Sequence, residues 1–489
     1  MFLSQQDAEL PGVLPLVFTR RVQSGYRAGH WFGPSWSSTV DQRLEIDSRG
    51  MVFVAEDGML LAYPHPAPEV PTLPSHGPRW PLERTVDGGY TITDRRGDRT
   101  WHFAAPVPYD DRHEIALLDQ LTDRNGHWIS FDYTEDGTPT GITHSGGYHL
   151  RISTENGRIT ALHLGDVPLI RYGYADGNLT EVVNSSGLPL RFTYDNRGRV
   201  TSWTDRNDRS YRYEYDEMDR CTFQTGAEGH MRSTLEYGEP DPNSGLRTTV
   251  VTNSLGQACR YTFNDRSQLV AETDATGATT LSTWDRYDRL LSRTDPLGHT
   301  TTLIHDEAGN LLSALRPDGG VSTATYNALG LPESITEPDG SIWRQTYDEA
   351  GNRTSLTDPS GATTRFAYDD VGRFASVTDA LGNTTGVRCD PTGLPREITD
   401  PLGGITRYER DAFGRVVAVT DPMGATTRLS WTTEGLLTRR TAPDGAEEHW
   451  TYDGEGNCVT HMDAMGGVTR NEHGHFDLLT ARTTPDGVR

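Results

Sequence analysis

Glycine returns every 21 residues through the second half of the chain, at Gly256, Gly277, Gly298, Gly319, Gly340, Gly361, Gly382, Gly403, Gly424, Gly445, Gly466 and Gly487. With 51 glycines in 489 residues, twelve successive hits at one spacing do not arise by chance. A fixed period between about 20 and 50 residues marks stacked supersecondary units, each unable to bury its own face alone. The chain reads as a repeat array, not as one compact α/β core.

A second column lies seven residues after these glycines and is mostly aromatic or His: Phe263, Trp284, His305, Tyr326, Tyr347, Tyr368, Tyr452 and His473, with Tyr194 and Tyr215 earlier. Asp or Asn commonly follows it. Four residues beyond the column stands another glycine, as at Gly309, Gly330, Gly351, Gly372, Gly393, Gly414, Gly435 and Gly456. Each period therefore holds two turns. One has the form Asp295-Pro296-Leu297-Gly298 or Pro338-Asp339-Gly340; the other has the form Glu307-Ala308-Gly309-Asn310. Proline presets φ at the second turn position and glycine supplies the positive φ that follows. Between turns run strand-like segments such as Thr300–Ile304 and Phe374–Thr378, so one repeat is predicted to be one β-hairpin. The column residue is paired two positions earlier with another large residue in Phe131/Tyr133, Tyr172/Tyr174, Phe192/Tyr194, Tyr213/Tyr215 and Tyr261/Phe263, which places both on one face.

The phasing divides the chain into three. Residues 1–110 lack the period and include a Pro-rich stretch from Pro64 to Pro81 that reads as an extended connector. Residues 111–250 carry degenerate repeats, with an insertion at Glu239–Gly245 expected to lengthen a hairpin end. Residues 251–489 carry the regular array, which ends in mid-repeat.

Composition agrees. Only 34% of residues are hydrophobic, while 51 Gly and 28 Pro favour turns over long helices. The 45 basic side chains, all Arg, against 69 acidic ones give a net charge of −24, which repels a phosphate backbone, so no nucleic-acid partner is expected. Cys221, Cys259, Cys389 and Cys458 are scattered without a paired spacing and read as ordinary thiols. The N-terminus has no basic stretch leading into an apolar run, and no run of about 18 apolar residues occurs anywhere. Neither a signal peptide nor membrane insertion is expected.

The segment Thr346-Tyr347-Asp348-Glu349-Ala350-Gly351-Asn352-Arg353-Thr354-Ser355-Leu356-Thr357-Asp358-Pro359-Ser360-Gly361 resembles the YD repeat of bacterial Rhs proteins, wall-associated repeat proteins and animal teneurins. The stretch Leu10–Arg20, continuing through Gly29–Trp36, is similar to the region that opens the Rhs core. The resemblance implies an all-β fold: tandem YD-repeat hairpins of about 21 residues in one long sheet, spiralling into a hollow shell that the N-terminal segment seals. It also implies a role as the encapsulating scaffold of a polymorphic toxin. Its partners would be a C-terminal toxin cargo, a cognate immunity protein and secretion-spike or adaptor proteins. Such a protein would be made in the bacterial cytoplasm and exported by a dedicated secretion system. Periodicity by itself leaves the spiral and an open solenoid equally available. The family's closing self-cleavage motif is not found here; Asp295–Gly298 and Asp400–Gly403 resemble its first half and are read as turns. The chain is accordingly expected to be a fragment or a truncated product, a shell without its cargo.

Catalytic machinery is not expected. The sequence has no G-x-S-x-G, H-E-x-x-H, Walker or dinucleotide motif. No cofactor and no metal is expected either, since His305 and His473 occupy the aromatic column as packed rings and the Asp residues cap turns without a calcium loop. The sites that matter are structural: the glycine column from Gly256 to Gly466 and the aromatic positions Tyr326, Tyr347, Tyr368 and Tyr452. Two other readings are carried: a surface module that binds carbohydrate or protein through the aromatic columns, and a self-processing hydrolase completed by residues beyond Arg489.

Overall fold

The computed structural model describes residues 1–68 and 70–489. Turn residues at short, regular intervals leave room for strands only, and the described residues fold as 45 strands in two sheets. Among the described residues the helical segments are two single 3-10 turns, Ala227–Gly229 and His475–Asp477. Strands β1 (Phe2–Leu10), β2 (Leu16–Gln23) and β3 (Trp36–Ser38) form a separate antiparallel sheet. The other 42 strands form one sheet. From Glu114–Thr122 to Leu479–Thr483 each strand pairs antiparallel with the next, so one repeat is one hairpin, as in Ile342–Tyr347 against Arg353–Thr357. This sheet begins before the repeats, because Arg43–Asp47, Gly50–Val54 and Arg99–Phe103 already belong to it.

The register slips at one fixed phase in each repeat. Thr346 faces Ser355, but Tyr347 faces Arg353, which leaves Thr354 as an extra residue. The same slip recurs at Tyr326, Tyr368, Arg410 and Trp431. A β-bulge bends its strand and increases the local twist. A sheet that bends the same way at every step coils, and this one returns upon itself. Hydrogen bonds join residues 227, 249 and 264 positions apart: Asn125 to Asn352, Ser185 to Glu434, and Arg209 to the His473 carbonyl. The open solenoid that periodicity allowed is not the arrangement found.

The first lap of the coil, up to about strand Ser233–Tyr237, has a core and the second, from strand Arg247–Asn253 onward, does not. β1–β3 pack Phe18, Phe32 and Trp36 against Tyr172 and Phe192 of the first-lap strands. Beyond Cys221, Tyr287 and Ala418 are the only apolar side chains fully buried among the described residues. The second lap is thus a single layer with both faces partly wet, which accounts for the modest apolar content.

The Pro64–Pro81 connector, apart from Glu69, which lies outside the described residues, is largely without regular structure, with one bridge from Thr72 to Leu82. It crosses to the second lap, where the Gly77 N–H donates to the Arg286 carbonyl at 3.3 Å and Arg79 stacks 4.5 Å from the Tyr287 ring. The Glu239–Gly245 insertion forms the loop between strands Ser233–Tyr237 and Arg247–Asn253.

Candidate functional site: the turn columns, the seam and the N-terminal seal

The aromatic column is a column of donors. The hydroxyls of Tyr326, Tyr347, Tyr368 and Tyr452 donate to the carbonyls of Leu311, Pro332, Arg353 and Leu437 at 2.8, 3.0, 3.2 and 2.7 Å. Each acceptor lies 15 residues upstream, beside the preceding bulge, where the ladder is interrupted and a carbonyl needs another partner. Several members that are not tyrosine keep the bond. Trp284 and Trp431 donate through Nε1, at 2.7 and 2.8 Å, Cys389 through Sγ at 3.4 Å and Arg410 through its guanidinium at 3.1 Å, all to the carbonyl 15 residues back. Burial raises the tyrosine pKa values, so the hydroxyls stay protonated donors. His305 and His473 make no such bond, and each leaves Nδ1 buried without a partner.

The acid that follows the column caps its turn. Asp369 takes the N–H groups of Val371 and Arg373 on Oδ1 and the Arg373 Nε on Oδ2 at 2.8 Å. Arg373 then reaches the Asp390 carbonyl of the next repeat at 3.2 Å. Arg199, Arg289 and Arg415 make the same step to Asp216, Asp306 and Thr432. Consecutive turns are rungs of one ladder.

The two glycine columns divide the labour. Gly256, Gly277, Gly298, Gly319, Gly340, Gly361, Gly382, Gly403, Gly424, Gly445 and Gly466 all hold positive φ and face open space. They lie on a free edge. Four members of the other column lie against neighbours from the opposite lap: Gly351 against Arg124, Gly372 against Asn125, Gly393 against Val13, and Gly414 against Pro11 and Tyr148. This is the seam where the laps meet, further closed by Ser185 and Arg206 on Glu434 and Glu455 and by the Val13 N–H on the Thr392 carbonyl at 2.9 Å.

The N-terminal segment is built around a buried ion pair that sequence reading did not single out. Arg20 Nε lies 2.7 Å from Asp7 Oδ2, with side chains 1% and 3% exposed. The Tyr172 hydroxyl donates to the same carboxylate oxygen at 2.7 Å, and the guanidinium sits 5.0 Å from the Trp36 ring centroid. Asp41, also buried, accepts the N–H groups of His30 and Trp31 and the Ser38 hydroxyl, yet burial keeps its pKa above the ordinary carboxylate value.

A cavity of about 880 Å³ lies between Pro78–Trp80, Asp94–Arg96 and the second-lap strands around Tyr287 and His305. It is lined by both charge signs.

The turn carboxylates are expected to make the array acid-labile. Hydrogen bonds from the Thr276, Ser360 and Asn383 side chains hold Asp274, Asp358 and Asp379 below the ordinary value of 3.8. A carboxyl group lowered by folding contributes stability that is present above its unfolded value and lost as pH falls through its folded one. Asp41 and Glu56, raised by burial, oppose this but are fewer. The thermal midpoint is expected to hold from pH 7 to about 5 and then fall steadily below about pH 4. A midpoint that rises on acidification would show that the buried acids dominate.

The repeats match a known family. Residues 173–202, 194–231, 284–321, 326–363, 354–384, 368–405, 390–426 and 410–447 fit the RHS Repeat. The chain belongs to the Rhs, or YD-repeat, family. Residues 1–63 of this Rhs chain, which contain the Asp7–Arg20 pair, fit a family described as Domain of unknown function (DUF6531). The chain is 28% identical over 286 residues to Probable deoxyribonuclease RhsA of Dickeya dadantii (strain 3937), covering 57% of this chain and 19% of that protein. It is 27% identical over 275 residues to Double-stranded DNA deaminase toxin A of Burkholderia cenocepacia (strain H111), covering 54% and 19%. The chain thus spans about a fifth of the length of these curated relatives. Among solved structures, the crystal structure of TcdB2-TccC3-TEV superposes on 96% of this chain and 26% of its own, with TM-score 0.50 and 13% identity. At that identity the likeness concerns the fold alone. The repeat region is a structural shell.

Proposed function

We propose that this chain is the encapsulating scaffold of an Rhs-type polymorphic toxin, a hollow β shell around a C-terminal toxin. The observation that carries the reading is the contrast between the laps. Evolution of a repeat array toward stability alone would bury the inner face, whereas here the second lap keeps a single-layer wall while the seam beside it is held shut by side-chain contacts. A wall without a core is suited to enclosing something. The names of the relatives, a probable deoxyribonuclease and a DNA deaminase toxin, support a toxic cargo. Cognate immunity and secretion-spike or adaptor proteins are the further partners the reading implies, with export by a dedicated secretion system. The carbohydrate-binding alternative draws no support from the aromatic columns, whose polar tips are occupied by backbone carbonyls.

The test is a small folded reporter appended after Arg489 and challenged with protease. Encapsulation predicts that the appended reporter outlasts the same reporter added free by about tenfold or more. Cleavage of both at equal rates would overturn the proposal.

A further inference from the structure

The repeat pattern fails at two places far apart in sequence, and the fold brings them together. After strand Cys221–Gly226 the chain makes the 3-10 turn Ala227–Gly229, with positive φ at Glu228 and Met231. After strand Val468–His473, Gly474 stands where most other repeats carry Asp or Asn, and Asp477 occupies the turn-glycine column with φ 60. Positive φ in non-glycine residues persists only where the surroundings impose it. Here they do. The Phe476 ring is driven across the seam between Trp203 and Tyr211, at centroid distances of 6.5 and 5.8 Å, and packs so closely on Gly226 that a Cβ there would lie 2.7 Å from Phe476 Cε2.

Beside this wedge, three metal-ligating side chains converge from opposite laps. The His230 and His475 rings lie 4.6 Å apart, His475 Nε2 is 3.5 Å from Glu228 Oε2, and one ligand atom from each residue lies within 4.8 Å of the others. His475 also leaves Nδ1 buried with no hydrogen-bond partner. We propose that Glu228, His230 and His475 form a zinc-class divalent cation site that clasps the seam.

Two imidazoles and one carboxylate suit a borderline cation such as Zn²⁺, and not Ca²⁺ or Mg²⁺, which prefer all-oxygen shells. Glu228 and His230 are exposed and free to close on an ion held by the more anchored His475, leaving a fourth position for water. Arg209 lies 3.8 Å from Asp477, which balances its charge beside the site. The short sequence spacings that usually announce zinc are absent because the ligands come from different laps. The expectation of no metal weighed His305, His473 and the turn Asp residues, and not these three side chains.

The experiment is calorimetric titration of the tag-free chain with Zn²⁺, and with Co²⁺ followed by visible absorption. One ion per chain is expected, with a higher thermal midpoint in Zn²⁺ than in EDTA and no change in Mg²⁺. His230→Ala and His475→Gln should each weaken binding about tenfold or more. His230 is exposed, so its replacement leaves the fold intact even if His475→Gln does not. Absence of a stoichiometric site, or Zn²⁺ binding unchanged in His230→Ala, would overturn the proposal.

Discussion

Asp7→Ala is expected to destabilise the chain by about 3–5 kcal/mol, because it leaves the Arg20 guanidinium charged and buried without its counterion. Asp7 reaches Arg20 through a local irregularity. The β1–β2 register slips between Gln6 and Ala8, so Asp7 is the extra residue of a bulge and is turned into the core. Trp36, Tyr172 and Phe192 surround the guanidinium at 5.0, 5.7 and 6.0 Å and leave water no place to replace the carboxylate. The contrast is Asp57→Ala, which removes a partly exposed partner 3.8 Å from Arg21 and should cost no more than about 1 kcal/mol. The double change Asp7→Leu/Arg20→Met should recover much of the loss, since a buried pair replaced by apolar side chains of similar volume is often neutral. Denaturant midpoints measure all three. A loss under about 1 kcal/mol for Asp7→Ala would mean that solvent enters the seal.

The array was legible because its information is local. A turn needs its glycine or proline within four residues, and a hairpin needs alternation within ten, so the columns at Gly340 and Tyr347 specify strands that the structure contains. The N-terminal core was half legible. Leu16, Phe18 and Val22 alternate onto a buried face, and Arg20 occupies the same face, a charge placed where only a partnered one survives. Its partner could not be read, because the bulge that aims Asp7 inward breaks the alternation that would have located it. The seam was not legible at all. Its contacts span 227, 249 and 264 residues, intervals that are not multiples of the 21-residue period, so self-comparison of the sequence cannot align one lap with the next. The two glycine columns look alike in sequence for the same reason: both supply positive φ, and only the coil decides which of them meets a neighbour.

That difference gives the sharpest test of the coil itself. Gly403→Val and Gly372→Val impose the same backbone strain, at φ +88 and φ +76, worth about 1–3 kcal/mol for a β-branched residue forced into the left-handed region. At Gly403 the new side chain enters open space and nothing is added. At Gly372 a Cβ would lie 2.8 Å from Asn125 Cβ and closer still to its amide group, which exchanges hydrogen bonds of 2.9 and 2.8 Å with Asn352. Overpacking there adds about 1–3 kcal/mol, so the total reaches roughly 2–6 kcal/mol. The larger loss should come with a change of shape, since the seam is what converts a bent sheet into a closed wall. Small-angle scattering should give Gly403→Val the compact dimensions of the parent and Gly372→Val a larger radius of gyration. Equal costs and equal radii would mean that the laps do not touch in solution. The chain would then be an open solenoid, and the case for a shell around cargo would fall with the seam.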